Sequence, residues 1–113
     1  MAIRNAHEKM MSFLLETAKQ KNTDYIKVPL KKFAAVYNIQ DYLEDEEELE
    51  FQIDDILMEL TEYDLKLSCG ADEIILTQCG IVFADYAGDG DKVIFKLDPH
   101  MLAADTFEIK EEE

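Results

Sequence analysis

The side chains best suited to chemistry are few and scattered. The chain has two histidines, His7 and His100, and two cysteines, Cys69 and Cys79. Neither histidine has a partner at metal-ligand spacing, so surface or helix-terminal roles are expected for both. The cysteines fall in neighbouring strand-like runs and could face each other across strands. As small apolar fillers they need no bond. Asp85, Asp89 and Asp91 crowd a glycine-containing loop but lack the D-x-D-x-D-G spacing and downstream Glu of a calcium loop. Ordinary turn chemistry accounts for them. Carboxylates are so numerous that no pair singles itself out for acid–base catalysis. There is no Gly-rich phosphate loop, no Ser/His/Asp arrangement and no Cys/His signature. The expectation is a non-enzymatic protein with no metal and no cofactor.

What the sequence offers instead is charge. Over 113 residues, 26 Asp and Glu against 11 Lys and Arg give a formal net charge of −15. Residues 1–40 carry seven bases and three acids, a net of +4. Residues 41–72 carry thirteen acids and only Lys66, a net of −12, and residues 73–113 a net of −7. Such a field repels phosphate backbones and attracts basic surfaces within a Debye length of about 8–10 Å. A hydrophobic fraction of 48% can build a core, which excludes wholesale disorder. The length suits one domain, expected over 1–109, with an acidic tail at 110–113. No apolar run reaches the roughly 18 residues of a membrane span. Glu8, Lys9, Glu16 and Lys19 leave no room for a secretory leader, so a cytoplasmic chain with reduced thiols is expected.

The elements that must carry this charge follow from periodicity. Ile3, Met10, Leu14 and Ala18, joined by Met11 and Leu15, form one helical stripe over about 3–20. Tyr25, Ile26 and Val28 read as a short extended segment. Pro29 then opens a second helix whose buried face is Leu30, Phe33, Ala34 and Tyr37, with Asn38 as its stop. The strongest helix places Leu49, Ile53, Ile56, Leu57, Leu60 and Tyr63 on one face. Met10, Met11 and Met58 are assigned to helical core positions. Acids crowd the N-terminal half of that helix, where its dipole favours them. Beyond it the period changes to two. Leu65, Leu67 and Cys69, then Ile74–Leu76, Ile81–Phe83 and Val93, Phe95 and Leu97, predict an antiparallel β-meander. Gly88 and Gly90 suit a tight hairpin between the last two runs. Asp98-Pro99 predicts a capped short helix through about Ala104. The fold class is α+β and winged-helix-like: three helices, a small antiparallel meander with the 81–97 hairpin as wing, and a short C-terminal helix.

The run Cys79-Gly80-Ile81-Val82-Phe83-Ala84-Asp85-Tyr86, the Gly-Asp-Gly-Asp turn and Lys92-Val93-Ile94-Phe95-Lys96-Leu97-Asp98-Pro99 together resemble the hairpin of plasmid replication initiators. The segments Leu49–Leu67 and Ile26–Ile39 are also similar to that family's N-terminal winged helix. The resemblance spans about 24–109. It implies a module that supports dimerisation and auxiliary DNA contacts; in the family a second winged helix reads the origin repeats, and none is expected within these residues.

Direct DNA reading conflicts with the charge. Specific readers neutralise phosphates with Lys and Arg, whereas this chain has one arginine and its long helix is its most acidic. Only Lys27, Lys31, Lys32 and the first-helix lysines are left as possible phosphate contacts. The sequence therefore points to partner binding through Asp41, Glu44, Glu47, Glu48, Asp54, Asp55 and Glu62. The partner is a basic protein or a second copy, whose +4 segment could face this −12 segment in a homodimer. The alternative is a phage- or mobile-element-encoded inhibitor of the anti-CRISPR or anti-restriction type, in which the same carboxylates imitate a phosphate track.

Overall fold

The computed structural model describes residues 2–87 and 91–111. In chain order the elements are α1 (Ala2–Lys21), β1 (Tyr25–Pro29), α2 (Leu30–Tyr37), a 3-10 turn (Gln40–Tyr42), α3 (Glu46–Leu60), β2 (Asp64–Cys69) and β3 (Asp72–Leu76). A tight turn (Thr77–Gly80), β4 (Ile81–Ala87), β5 (Lys92–Leu97), a second 3-10 turn (Pro99–Ala103) and β6 (Thr106–Lys110) complete it. The Gly88–Gly90 hairpin tip, with Asp89, lies outside the described residues.

Local chemistry explains the helix ends. Pro29 closes β1 and acts as the N-cap of α2 with an extended ψ of 138°, so the helix begins one residue later than predicted. Asn38 ends α2 in the left-handed region, φ 57°, with its N–H returned to the Ala34 and Ala35 carbonyls. Asp45 caps α3 by accepting a bond from the Glu48 N–H, and Glu46, Glu47 and Glu48 fill the first turn, where the dipole stabilises them. The inner stripe of α3 (Leu49, Ile53, Ile56, Leu57, Leu60) joins one apolar core with Met10, Met11 and Leu14 of α1, Phe33 of α2, and Phe95 and Leu97 of β5.

The single meander expected from the sequence is instead two three-stranded antiparallel sheets, ordered β1-β5-β4 and β3-β2-β6. The chain crosses between them at Gln78, Cys79 and Gly80, three consecutive residues at φ 55°, 55° and 73°. The turn is held at both ends: the Cys79 N–H donates to the Tyr63 carbonyl at 2.8 Å, and the Asp98 N–H donates to the Gly80 carbonyl at 2.8 Å. This separates the cysteines. Cys69 pairs in register with Asp72, Cys79 is buried in the turn, and both thiols are free. Burial pushes the Cys79 thiol up to about 12, so it stays protonated and inert.

The short C-terminal helix is a 3-10 turn, not an α-helix. Asp98 caps it through the His100 N–H, but the next turn never forms, because the Asp105 N–H is drawn at 2.7 Å to the Ser68 carbonyl and starts β6 along β2. Two bases of α1 hold this segment down. Arg4 donates to the Ile109 carbonyl at 2.6 Å, and Lys19 donates to the Ala104 carbonyl at 2.8 Å.

His7 corrects the expectation of a surface or helix-terminal histidine: it is fully buried within α1. Its Nδ1 lies 2.8 Å from the Tyr37 hydroxyl of α2 and its Nε2 lies 3.0 Å from Glu59 Oε2 of α3. A neutral ring fits both, with Nε2–H donating to the carboxylate and the Tyr37 O–H donating to Nδ1. Burial lowers the His7 pKa from 6.5, outweighing the upward pull of the Glu59 hydrogen bond and charge.

Two expected outcomes follow from these contacts. Because the unfolded chain binds the His7 proton more readily, stability is full above about 6.5 and declines as pH falls towards the folded value. His7→Gln should cost about 1–3 kcal/mol at neutral pH and remove that part of the pH slope, measured by urea melts of both chains. Parallel slopes in the two chains would contradict it. At Gly80, an added Cβ would sit 3.0 Å from Met101 Sδ and 3.2 Å from Leu65 and Leu76 side-chain carbons, at a positive φ. Gly80→Ala should therefore destabilise by about 1–3 kcal/mol in the same assay.

Candidate functional site: the outer face of helix α3

With its inner stripe committed to the core, α3 turns its remaining residues to solvent. Glu47, Phe51, Asp54 and Met58 follow one another at steps of four and three residues, which makes them one ridge along the helix. Asp55 lies beside that ridge, seven residues after Glu48. Glu47, Glu50, Asp54 and Asp55 are all exposed. Glu48 is half-buried, its carboxylate accepting from Gln52 Nε2 at 2.8 Å. Glu62 is exposed just beyond the C-cap Thr61. Asp41, in the first 3-10 turn, and Glu44, in the turn before Asp45, are exposed on the approach to α3. The expected acidic residues thus occupy the outer side of α3 and its two flanks.

Their charge is not neutralised internally. Ion pairs form elsewhere, as Lys96 to Asp24 at 2.7 Å, Lys66 to Glu73 at 3.4 Å and Arg4 to Glu111 at 3.6 Å. Among the described residues none involves Asp41, Glu44, Glu47, Glu48, Asp54, Asp55 or Glu62. Also among the described residues, no three His, Cys, Asp or Glu side chains converge on a point that could hold a metal ion. No described helix is long and apolar enough to cross a membrane.

The sequence reading missed the apolar half of this face. Met58, assigned to the core, is 63% exposed, and Phe51 is 65% exposed. Both sit off the Leu49–Leu60 stripe, so their spacing was the available signal. Beside the helix, Val82 and Phe83 of β4 are 61% and 50% exposed. They are where β4 bulges, with Ile81 opposite Leu97 and Phe83 opposite Lys96. Between the two elements runs an open groove of about 390 Å³. Its helix wall is Asp54, Leu57, Met58 and Thr61, and its strand wall is Ile81 to Ala84. Gln78, from the left-handed turn, closes one end.

The lysines are not brought together. Lys27 is exposed on β1, an edge strand. Lys31 lines a shallow depression with Leu43 and Asp91, while Lys32 reaches 4.9 Å from the Phe13 ring of α1. A larger depression of about 570 Å³ lies between α1 and β6, but its lysine, Lys19, is engaged by the Ala104 carbonyl. Comparison of the chain with protein families, curated proteins and solved structures returns no match.

Because no cation offsets Asp54 and Asp55, their charges add only repulsion to the folded state. Asp54→Asn with Asp55→Asn should leave the melting temperature unchanged or slightly raised at low salt, with a change within about 0.5 kcal/mol. A clear drop, read by thermal denaturation, would mean that these carboxylates have a structural partner.

Proposed function

We propose that this is a non-enzymatic interaction module that docks a basic protein partner on the outer face of α3. The observation that carries the reading is the exposed ridge Glu47–Phe51–Asp54–Met58, in which unpaired carboxylates alternate with large apolar side chains. Protein interfaces combine a desolvated apolar centre with a charged rim. Imitation of a phosphate track calls for uniform acidity, and Phe51 and Met58 interrupt it. The ridge therefore favours a protein surface of mixed character over the channel of a nucleic-acid enzyme.

The scaffold proposed is a winged helix of the kind found at the N-terminus of replication initiators. The strand order β1-β5-β4, with β1 between α1 and α2 and the β4–β5 pair following α3, supports this, with β2, β3 and β6 as an added sheet. On that scaffold α3 occupies the place of the helix offered to a DNA groove, and its carboxylates make that role repulsive. Dimerisation through the same face is the second form of the proposal. It is less well supported, because the lysines that would answer the acids are dispersed.

Asp54→Lys with Asp55→Lys tests the reading. Affinity capture from the source organism, read by mass spectrometry, should recover basic proteins with the native chain. The double variant should lose them while keeping a native circular dichroism spectrum. Equal recovery by both chains would reject the face. A native chain that is monomeric by light scattering at low salt would remove the dimer form.

A further inference from the structure

The groove beside the ridge says more about what is docked. On the docking function proposed above, we infer that the α3–β4 groove seats a linear, basic and amphipathic segment of the partner protein. Its large apolar side chains enter between Met58 and Phe83, and its lysines or arginines reach Asp54 and Glu50, with Asp55 adding to the field from the far side of the ridge. Three features of the groove support this occupant.

The walls are largely apolar, Asp54 is the carboxylate that lines them, and Glu50 stands exposed one helical turn before it. Met58, Val82 and Phe83 are all at least half exposed, so burial against an apolar partner removes surface that now faces water. Among the described residues, no lysine or arginine lines the groove. Lys96, the cross-strand neighbour of Phe83, is held by Asp24. The field over the groove is thus negative without local competition, which selects a cationic segment and repels an acidic one. The strand wall is β4, an edge strand of its sheet, which presents main-chain groups that an incoming segment can bond.

Several of the chain's own cations are committed elsewhere. Its Arg4, Lys19 and Lys96 are spent on internal bonds, and Lys27, Lys31 and Lys32 have separate surroundings. A partner of different sequence, rather than a second copy, is the occupant that the charges fit.

Fluorescence anisotropy with two labelled peptides tests this. One is an amphipathic Leu/Lys peptide, and the other is its equal-charge counterpart with every leucine replaced by serine. The native chain should bind the Leu/Lys peptide about tenfold more tightly or better. Met58→Ser with Phe83→Ser, both at exposed positions, should erase that preference and leave affinity for the Ser/Lys peptide unchanged. Asp54→Lys with Asp55→Lys should weaken both peptides. Equal native affinity for the two peptides, or a preference that survives Met58→Ser with Phe83→Ser, overturns the groove while leaving the acidic face standing. Binding of neither peptide at low salt overturns the docking function itself. Self-association that disappears in the Met58→Ser, Phe83→Ser chain assigns the groove to a second copy and overturns the inference.

Discussion

His7 of α1 is bonded at one ring nitrogen to Tyr37 of α2 and at the other to Glu59 of α3, and the presentation of the α3 ridge depends on that junction. A buried imidazole must have its polar atoms matched. Tyr63 closes the same site edge-on, with ring centroids 5.5 Å apart. Together with the stripe Leu49, Ile53, Ile56, Leu57 and Leu60, the Glu59 bond sets the rotation of α3 about its own axis. Turning the helix by one residue would carry a carboxylate such as Asp54 into the core with no cation to meet it, which costs several kcal/mol. The acids face outward because every other orientation is worse.

The positive part of the chain is treated in the opposite way. Arg4 and Lys19 lie at the two ends of α1 and hold the returning C-terminal segment by its carbonyls. Arg4 also stands 5.9 Å over the Tyr63 ring, and Lys96 is bonded to Asp24. Folding therefore sharpens the asymmetry present along the chain. Arg4, Lys19 and Lys96 are drawn into structural contacts, while the carboxylates on the outer face of α3 are left to solvent. A field of one sign over an apolar groove is the consequence, and it arises from the internal use of lysine and arginine as much as from the number of acids.

Much of the fold was legible. Helix α3 and its buried stripe as far as Leu60, the stop at Asn38 and the cap at Asp98 each follow from local periodicity or local hydrogen bonding, whereas Tyr63, expected on that stripe, falls past the C-cap Thr61. The strands β2 and β5 were readable from alternation, and β3 and β4 from their β-branched runs. What could not be read was how the strands are shared. The turn at Gln78–Gly80 puts two non-glycine residues in the left-handed region, against their intrinsic preference, and distant groups hold it there through the bonds to Tyr63 and Asp98 and the burial of Cys79. Likewise β6 forms because β2 has a free edge beside it, a fact that residues 106–110 do not contain.

By itself the sequence determined the helices, the alternating strands and the concentration of carboxylate on α3, because these depend on residues a few positions apart. The tertiary structure alone decided that His7 is an internal tie, that Met58 is outside the core and that Val82 and Phe83 stand next to it. Each of those outcomes depends on which distant segment arrives alongside. Burial is a property of the neighbours a residue acquires, and neighbours from β4 reach α3 only after the chain has changed sheets.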